Sequence, residues 1–401
     1  MANKTAHPAD RGLKKRQTIG YFAAFAILGV VIASLGPTLP GLAAHTGSEI
    51  DEISFLFVAR SFGTLLGALL AGRLFDRRPG HPILVATLLL IALMLFLAPL
   101  LPWLGVLALV LLLLGLSEGT VDVGTNTLLV WVHSAKVGPF MSGLHFFFGA
   151  GAFLSPIIVA EALRRTGDIT LAYWTLALLV LPVALWFLRL PGPAARSVGG
   201  DEEGGANDPW LVVLVGLFLA VYVGAEVGFG GWIFSYTVAL ELAPEATAAY
   251  LTSAFWGAFT VGRLLSIPLA AQWRPRTILI MDLGGALLSL AVLLLWPQSL
   301  VAAWVGTLGM GVTLAAIFPT TLSLAGQRMA INGRVTSWFF VGASLGAMTI
   351  PWLIGQLFAA TGPRMTMVAI LVDLLVAVVV CALLLWRSAP RTPVPQLMFR
   401  R

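Results

Sequence analysis

The chain has 401 residues, of which 59% are hydrophobic and 10% charged, with a net charge of +6. A soluble domain carries about 25% charged residues, so these few charges could not cover a globular surface, and lipid must be the solvent for most of the chain. In lipid every backbone polar group must be satisfied internally, which leaves helices or a closed barrel; apolar runs of about 20 residues without alternation select helices.

The N-terminal tail (1–17) is polar and basic. No small-residue cleavage site follows it, so the first apolar run is expected to stay in place as a helix. Apolar spans are predicted at 18–44, 50–75, 82–101, 104–131, 139–163 and 171–190, then at 210–238, 247–272, 277–296, 299–325, 334–359 and 364–387. Between the two sets lies 191–209, rich in Pro and Gly, with the acidic run Asp201-Glu202-Glu203. That composition reads as a cytoplasmic linker between six-helix halves at 18–190 and 210–387, with a cytoplasmic tail at 388–401. The expected fold class is an all-α polytopic membrane protein with twelve transmembrane helices in two six-helix halves.

Orientation follows from the basic residues. Of the 24 Lys and Arg, nineteen fall on the side that carries both termini and three (Arg164, Arg165, Arg364) on the other; Arg60 and Arg263 lie within helices. That asymmetry puts both termini in the cytoplasm. The positive charge is a topology signal and gives no support to nucleic-acid binding. The single cysteine, Cys381, sits in an apolar run and excludes an intrachain disulfide.

Ionisable groups within the membrane cost several kcal/mol unless paired or hydrated, so each is a functional candidate. They are Arg60, Glu118, Asp122, His145, Glu226, Arg263, Asp282 and Asp373. Glu118, Asp122 and Asn126 recur every four residues on helix four, broadly on one face. Two carboxylates one turn apart repel, so one is expected to take up a proton or to lie against a cation. At a rise of about 1.5 Å per residue, Arg60 and Glu118 share a depth, as do Asp122 and His145, and Arg263 and Asp282. Each couple is an expected contact, the last a structural ion pair. Asp373 has no partner by this reasoning. Glu226 sits among glycines on helix seven, with Tyr222, Trp232 and Tyr236 nearby. Aromatic faces and carboxylates together suit a pyranose; the alternative for each ring is anchoring in lipid.

Gly72-Arg-Leu-Phe-Asp76-Arg77-Arg78-Pro-Gly80 resembles the loop signature of the major facilitator superfamily, with its closing glycine one residue late. The resemblance implies that Asp76 and Arg77 latch the halves on the cytoplasmic side and that helices one, four, seven and ten line the cavity. Gly119-Thr-Val-Asp122-Val-Gly124-Thr-Asn126 and Val137–Pro156 resemble the fucose–proton symporter family, above all its sodium-dependent glucose transporter branch. So do Glu52–Ser61 and Gly224-Ala-Glu226. On that resemblance Asp122 is the helix-four carboxylate tied to sugar and cation, Asn126 is its amide neighbour, and His145 is a polar residue of helix five. Helix one, Val31-Ile-Ala-Ser34-Leu-Gly-Pro37, lacks the acidic residue of fucose symporters. Its role then falls to Glu118 and Glu226, or to sodium as the coupling ion, which is expected at Asp122.

The expected function is secondary transport, a sodium- or proton-coupled hexose symport by alternating access in a plasma or bacterial inner membrane. The expected partners are a sugar and the lipid bilayer, and the expected state is a monomer. No cofactor is expected: there is no H-E-x-x-H cluster and no Walker-type glycine loop, which also argues against an enzyme. Proton-driven efflux of an apolar compound stays open as a second reading, and a non-transporting receptor as a third.

Overall fold

The computed structural model describes residues 8–193, 208–329 and 333–387. Most of the expected linker and all of the C-terminal tail lie outside the described residues. Every regular element among the described residues is helical, and twelve are long and apolar enough to cross a membrane.

Helix one runs Pro8–Ile32 and resumes as Leu35–Thr46. The others of the first half are helix two (Ile50–Arg77), three (Gly80–Leu100), four (Leu104–His133), five (Gly138–Thr166) and six (Thr170–Leu188). The second half has helix seven (Pro209–Ala239), eight (Glu245–Gln272), nine (Pro275–Leu295), ten (Leu300–Gly326), eleven (Val335–Thr361) and twelve (Met365–Arg387). Short turns make consecutive helices antiparallel. The end bearing the start of helix one is here called the terminal end, and the opposite one the distal end.

Helix two is interrupted at Ser54; helices one and ten break ahead of a proline, at the same offset in each. The first part of helix one ends at Ile32, so that the break begins at Ala33, four residues before Pro37; the two parts of helix ten, Leu300–Leu314 and Ile317–Gly326, separate at Ala315, four residues before Pro319. Proline lacks the N–H that would bond to residue i−4, and its ring crowds that carbonyl. Helices five, eight and eleven run on through Pro156, Pro268 and Pro351.

Glycine sets how closely the helices pack. A Cβ on Gly63 or Gly67 of helix two would collide with the carbonyls of Leu112 and Leu116 on helix four. A Cβ on Gly115 or Gly119 would meet the carbonyls of Arg60 and Thr64 in return. With no hydrophobic drive between helices in lipid, such backbone contact supplies the packing energy.

The halves meet most closely at the distal end. The second part of helix one packs on helix seven, where a Cβ on Gly36 would come within 2.9 Å of the Gly230 and Gly231 backbone. Gln356 of helix eleven donates to the Asp51 carbonyl at 3.0 Å. Trp232 of helix seven is wholly buried, donates to the Pro351 carbonyl at 2.9 Å, and lies between the rings of Phe57 and Phe358. At the terminal end, Arg73, Asp76, Arg77 and Arg78 are exposed, as are Leu264, Leu265 and Ile267 of helix eight. Asp76 and Arg77 make no ion pair among the described residues.

Candidate functional site

A cavity of about 260 Å³ lies between the halves. Helices one, two, four and five wall it on one side and helices seven, eight and eleven on the other. Helix ten contributes no lining residue, which corrects the expectation for that wall; helices two and eleven stand there as well as one, four and seven.

The break in helix one organises the first wall. It takes away the donors one turn on from the Val31 and Ile32 carbonyls, although Ser34 still donates to Val31 O, from N at 3.3 Å and from Oγ at 2.8 Å. Arg60 reaches across from helix two and donates to both carbonyls, with Nη2 to Val31 O at 2.6 Å and Nη1 to Ile32 O at 3.3 Å. The same guanidinium grips Glu118 of helix four, with Nη2 2.6 Å from Oε1 and Nε 3.0 and 3.1 Å from the two oxygens. Arg60 is 6% exposed and Glu118 2%. A buried charge needs both a partner and satisfied hydrogen bonds, and this pair has both. Glu118 is therefore neutralised where it stands.

Asp122, one turn along helix four, is not. Its carboxylate accepts one hydrogen bond, from Asn126 Nδ2 at 3.0 Å. Asn126 also bonds the Asp122 carbonyl and does not line the cavity, so it holds the carboxylate in position. Glu226 enters from helix seven on the opposite wall. The Tyr222 hydroxyl lies near it on the same helix face but outside hydrogen-bond geometry. Both carboxylates keep part of their surface, and both line the cavity. With Arg60 and Glu118 cancelling, the lining carries two carboxylates, one from each half, and no further cation. The other polar groups are hydroxyls (Ser61, Thr64, Ser344), set among aromatic rings (Phe57, Phe148, Trp256, Phe340) and small or aliphatic residues of helices one, two, seven and eleven.

Sequence reasoning missed those hydroxyls and rings. Ser344 and Phe340 lie on helix eleven, which has no charged residue within it to draw attention.

A second cavity of about 310 Å³ opens nearer the terminal end, between helices five, eight and ten. His145 and Arg263 line it, with Ser142, Thr260 and Ser266 among apolar residues. His145 packs its ring edge-on to Phe25, with centroids 5.3 Å apart. No hydrogen bond joins it to Asp122, so the expected contact is absent: the two share a depth but face different cavities. The expected Arg263–Asp282 ion pair is also absent. Arg263 Nε and Asp282 Oδ2 are both buried without a partner, and the guanidinium carbon lies 4.6 Å from the Phe259 ring centroid. Asp373 Oδ2 is likewise buried and unpartnered, against Gly224 of helix seven. Tyr222 and Trp232 do not line the central cavity; Trp232 belongs to the distal closure. Trp232→Phe keeps the ring contacts but loses the bond to Pro351. It is expected to weaken that closure by about 1 kcal/mol, read as faster modification of a cavity cysteine by an impermeant thiol reagent added on the distal side.

Two helical halves closed at one end around a charged, partly aromatic cavity define a membrane transporter. The sequence profile of the Major Facilitator Superfamily matches residues 19–341, and the chain belongs to that family. It is 33% identical to sodium-dependent glucose transporter 1 of Xenopus laevis over 82% of this chain and 73% of that protein. To sodium-dependent glucose transporter 1A of Mus musculus it is 31% identical, over 84% and 88%. Among solved structures it is similar to a bacterial homolog of the human lysosomal transporter Spinster, with a TM-score of 0.74 and 13% identity over 96% of this chain and all of that one. That likeness is one of fold.

Proposed function

We propose that the protein is a cation-coupled hexose symporter working by alternating access. The observation that carries this reading is the pair of carboxylates, Asp122 and Glu226, that line one cavity from opposite halves, neither held in an ion pair among the described residues. Closing the cavity around two uncompensated charges would cost several kcal/mol each. A bound sodium ion or proton removes part of that cost, so cation binding favours the closed, mobile carrier. The hydroxyls and rings suit a sugar: apolar pyranose faces stack on Phe57, Trp256 or Phe340 while hydroxyls bond to the carboxylates, Ser61 and Thr64. The names of the relatives support glucose as substrate and sodium as ion, with Asp122 as its anchor.

The basic-residue asymmetry supports a cytoplasmic terminal end, which makes this conformation inward-facing, in a plasma or bacterial inner membrane. Asp76 and Arg77 then latch the halves when the carrier opens outward. A monomer holds the whole cavity.

The test is uptake of labelled D-glucose into proteoliposomes under an imposed sodium gradient and, separately, a proton gradient. One gradient is expected to drive accumulation in the wild type. Asp122→Asn is expected to lose at least about 100-fold of it, the worth of about 3 kcal/mol of coupling. No uptake under either gradient from folded protein would sink the sugar reading and favour efflux of an apolar compound.

A further inference from the structure

The second cavity holds a cation that this transport cycle has not yet used. Arg263 of helix eight makes no ion pair among the described residues, and its Nε is buried without an acceptor. Its guanidinium rests on the face of Phe259, a contact worth about 0.5–2 kcal/mol. That is a weak hold for a charge at this depth.

Phe259 stands one turn from Arg263 in the distal direction, so the side chain points away from the terminal end. Counted from the distal ends of helices seven and eight, the Arg263 backbone lies about 7 Å nearer the terminal end than Glu226. The reach back to Phe259 recovers about 6 Å of that. The guanidinium is thus level with Glu226 on an adjoining helix. Its charge acts through space on Glu226, Tyr222 and His145. Two further carboxylates lie near this region: Asp282 of helix nine, which also acts on Tyr222, and Asp373 of helix twelve, against Gly224.

A symporter must return empty. The ion that neutralised the cavity has then left, yet the cavity must close again. While it is open to the terminal end, Glu226 keeps accessible surface; on closure an unpaired carboxylate would be buried. We propose that Arg263 is the empty carrier's substitute cation: its guanidinium leaves Phe259 and pairs with Glu226 as the unloaded halves rock back. With the cavity loaded, the coupling ion holds the carboxylates and Arg263 stays on the ring. Each of the two states that cross the membrane is then compensated at Glu226. The inference rests on the symport reading.

Equilibrium exchange moves loaded carriers only, whereas net uptake also needs the empty return. Both are measured with labelled D-glucose in proteoliposomes holding the driving cation. Arg263→Gln is expected to lower net uptake at least about tenfold while exchange stays within about twofold of wild type. Arg263→Lys is expected to restore part of the net uptake. Unchanged net uptake in Arg263→Gln, or an equal fall in both rates, would overturn the proposal. So would the same split in Asp282→Asn, which would make Asp282 the partner. A wild type with neither exchange nor uptake would sink the symport reading itself, before any variant is compared.

Discussion

Gly36→Val is expected to stop transport by preventing distal closure. Gly36 sits where the outer part of helix one crosses helix seven, and any Cβ there would press on the Gly230 and Gly231 backbone at 2.9 Å. The far side cannot yield easily. A Cβ on Gly231 would itself press on Phe57, so this crossing is glycine against glycine. Overpacking of a close contact costs about 1–3 kcal/mol. Here the cost falls on one conformation only, since the contact exists only when the halves meet distally. A bias of that size shifts the populations about 5–150-fold. The readout is a cysteine at Ser61, which lines the cavity, in a Cys381→Ser background, challenged with an impermeant thiol reagent from the distal side. Gly36→Val should speed its modification and slow glucose flux together. Unchanged labelling with unchanged flux would show that the crossing does not control closure.

Glu118→Ala is expected to destabilise the first half by about 3–5 kcal/mol, because it strands the Arg60 charge in a buried site. The measurement is unfolding in detergent, with a change below about 1 kcal/mol as the result that would refute it. A double change, Arg60→Met with Glu118→Leu, removes both charges, and such swaps are often near neutral. In this protein it should recover only part of the loss. Arg60 also donates to the Val31 and Ile32 carbonyls beside the break before Pro37, which methionine cannot do; Ser34 still bonds Val31 O, so the acceptor that loses its donor is Ile32 O. The gap between the double variant and wild type therefore reads out what the proline break costs without its clamp.

How much of this could be read from residues alone depends on which coordinate the pattern encodes. Position along the membrane normal is linear in residue number. The twelve spans and the meeting of Arg60 with Glu118 follow from counting a rise per residue. Rotation about each helix axis and the order of helices around the bundle are not encoded that way. Asp122 and His145 share a depth but open into different cavities; Arg263 and Asp282 share one too, and neither reaches the other. Trp232 looked like a sugar platform because it neighbours Glu226 in the chain, yet six residues along a helix turn it away into the distal closure. Helix eleven was silent because hydroxyls and phenyl rings in an apolar run look the same whether they face lipid or a cavity. The proline breaks were visible as prolines, but that one of them would recruit the arginine of helix two was not.

The Arg60 clamp also bears on how the chain enters the membrane. An arginine near the centre of a spanning segment costs about 2.5–3.5 kcal/mol on insertion, and helix two is made before the helix that carries its counter-charge. Its nearest relief is the Val31 and Ile32 carbonyls at the break in helix one, already synthesised. Full relief comes only when Glu118 arrives, after helix three and half of helix four have been made. Helices one to four are therefore expected to leave the insertion machinery as a group, and a chain truncated before Glu118 should hold helix two in lipid poorly.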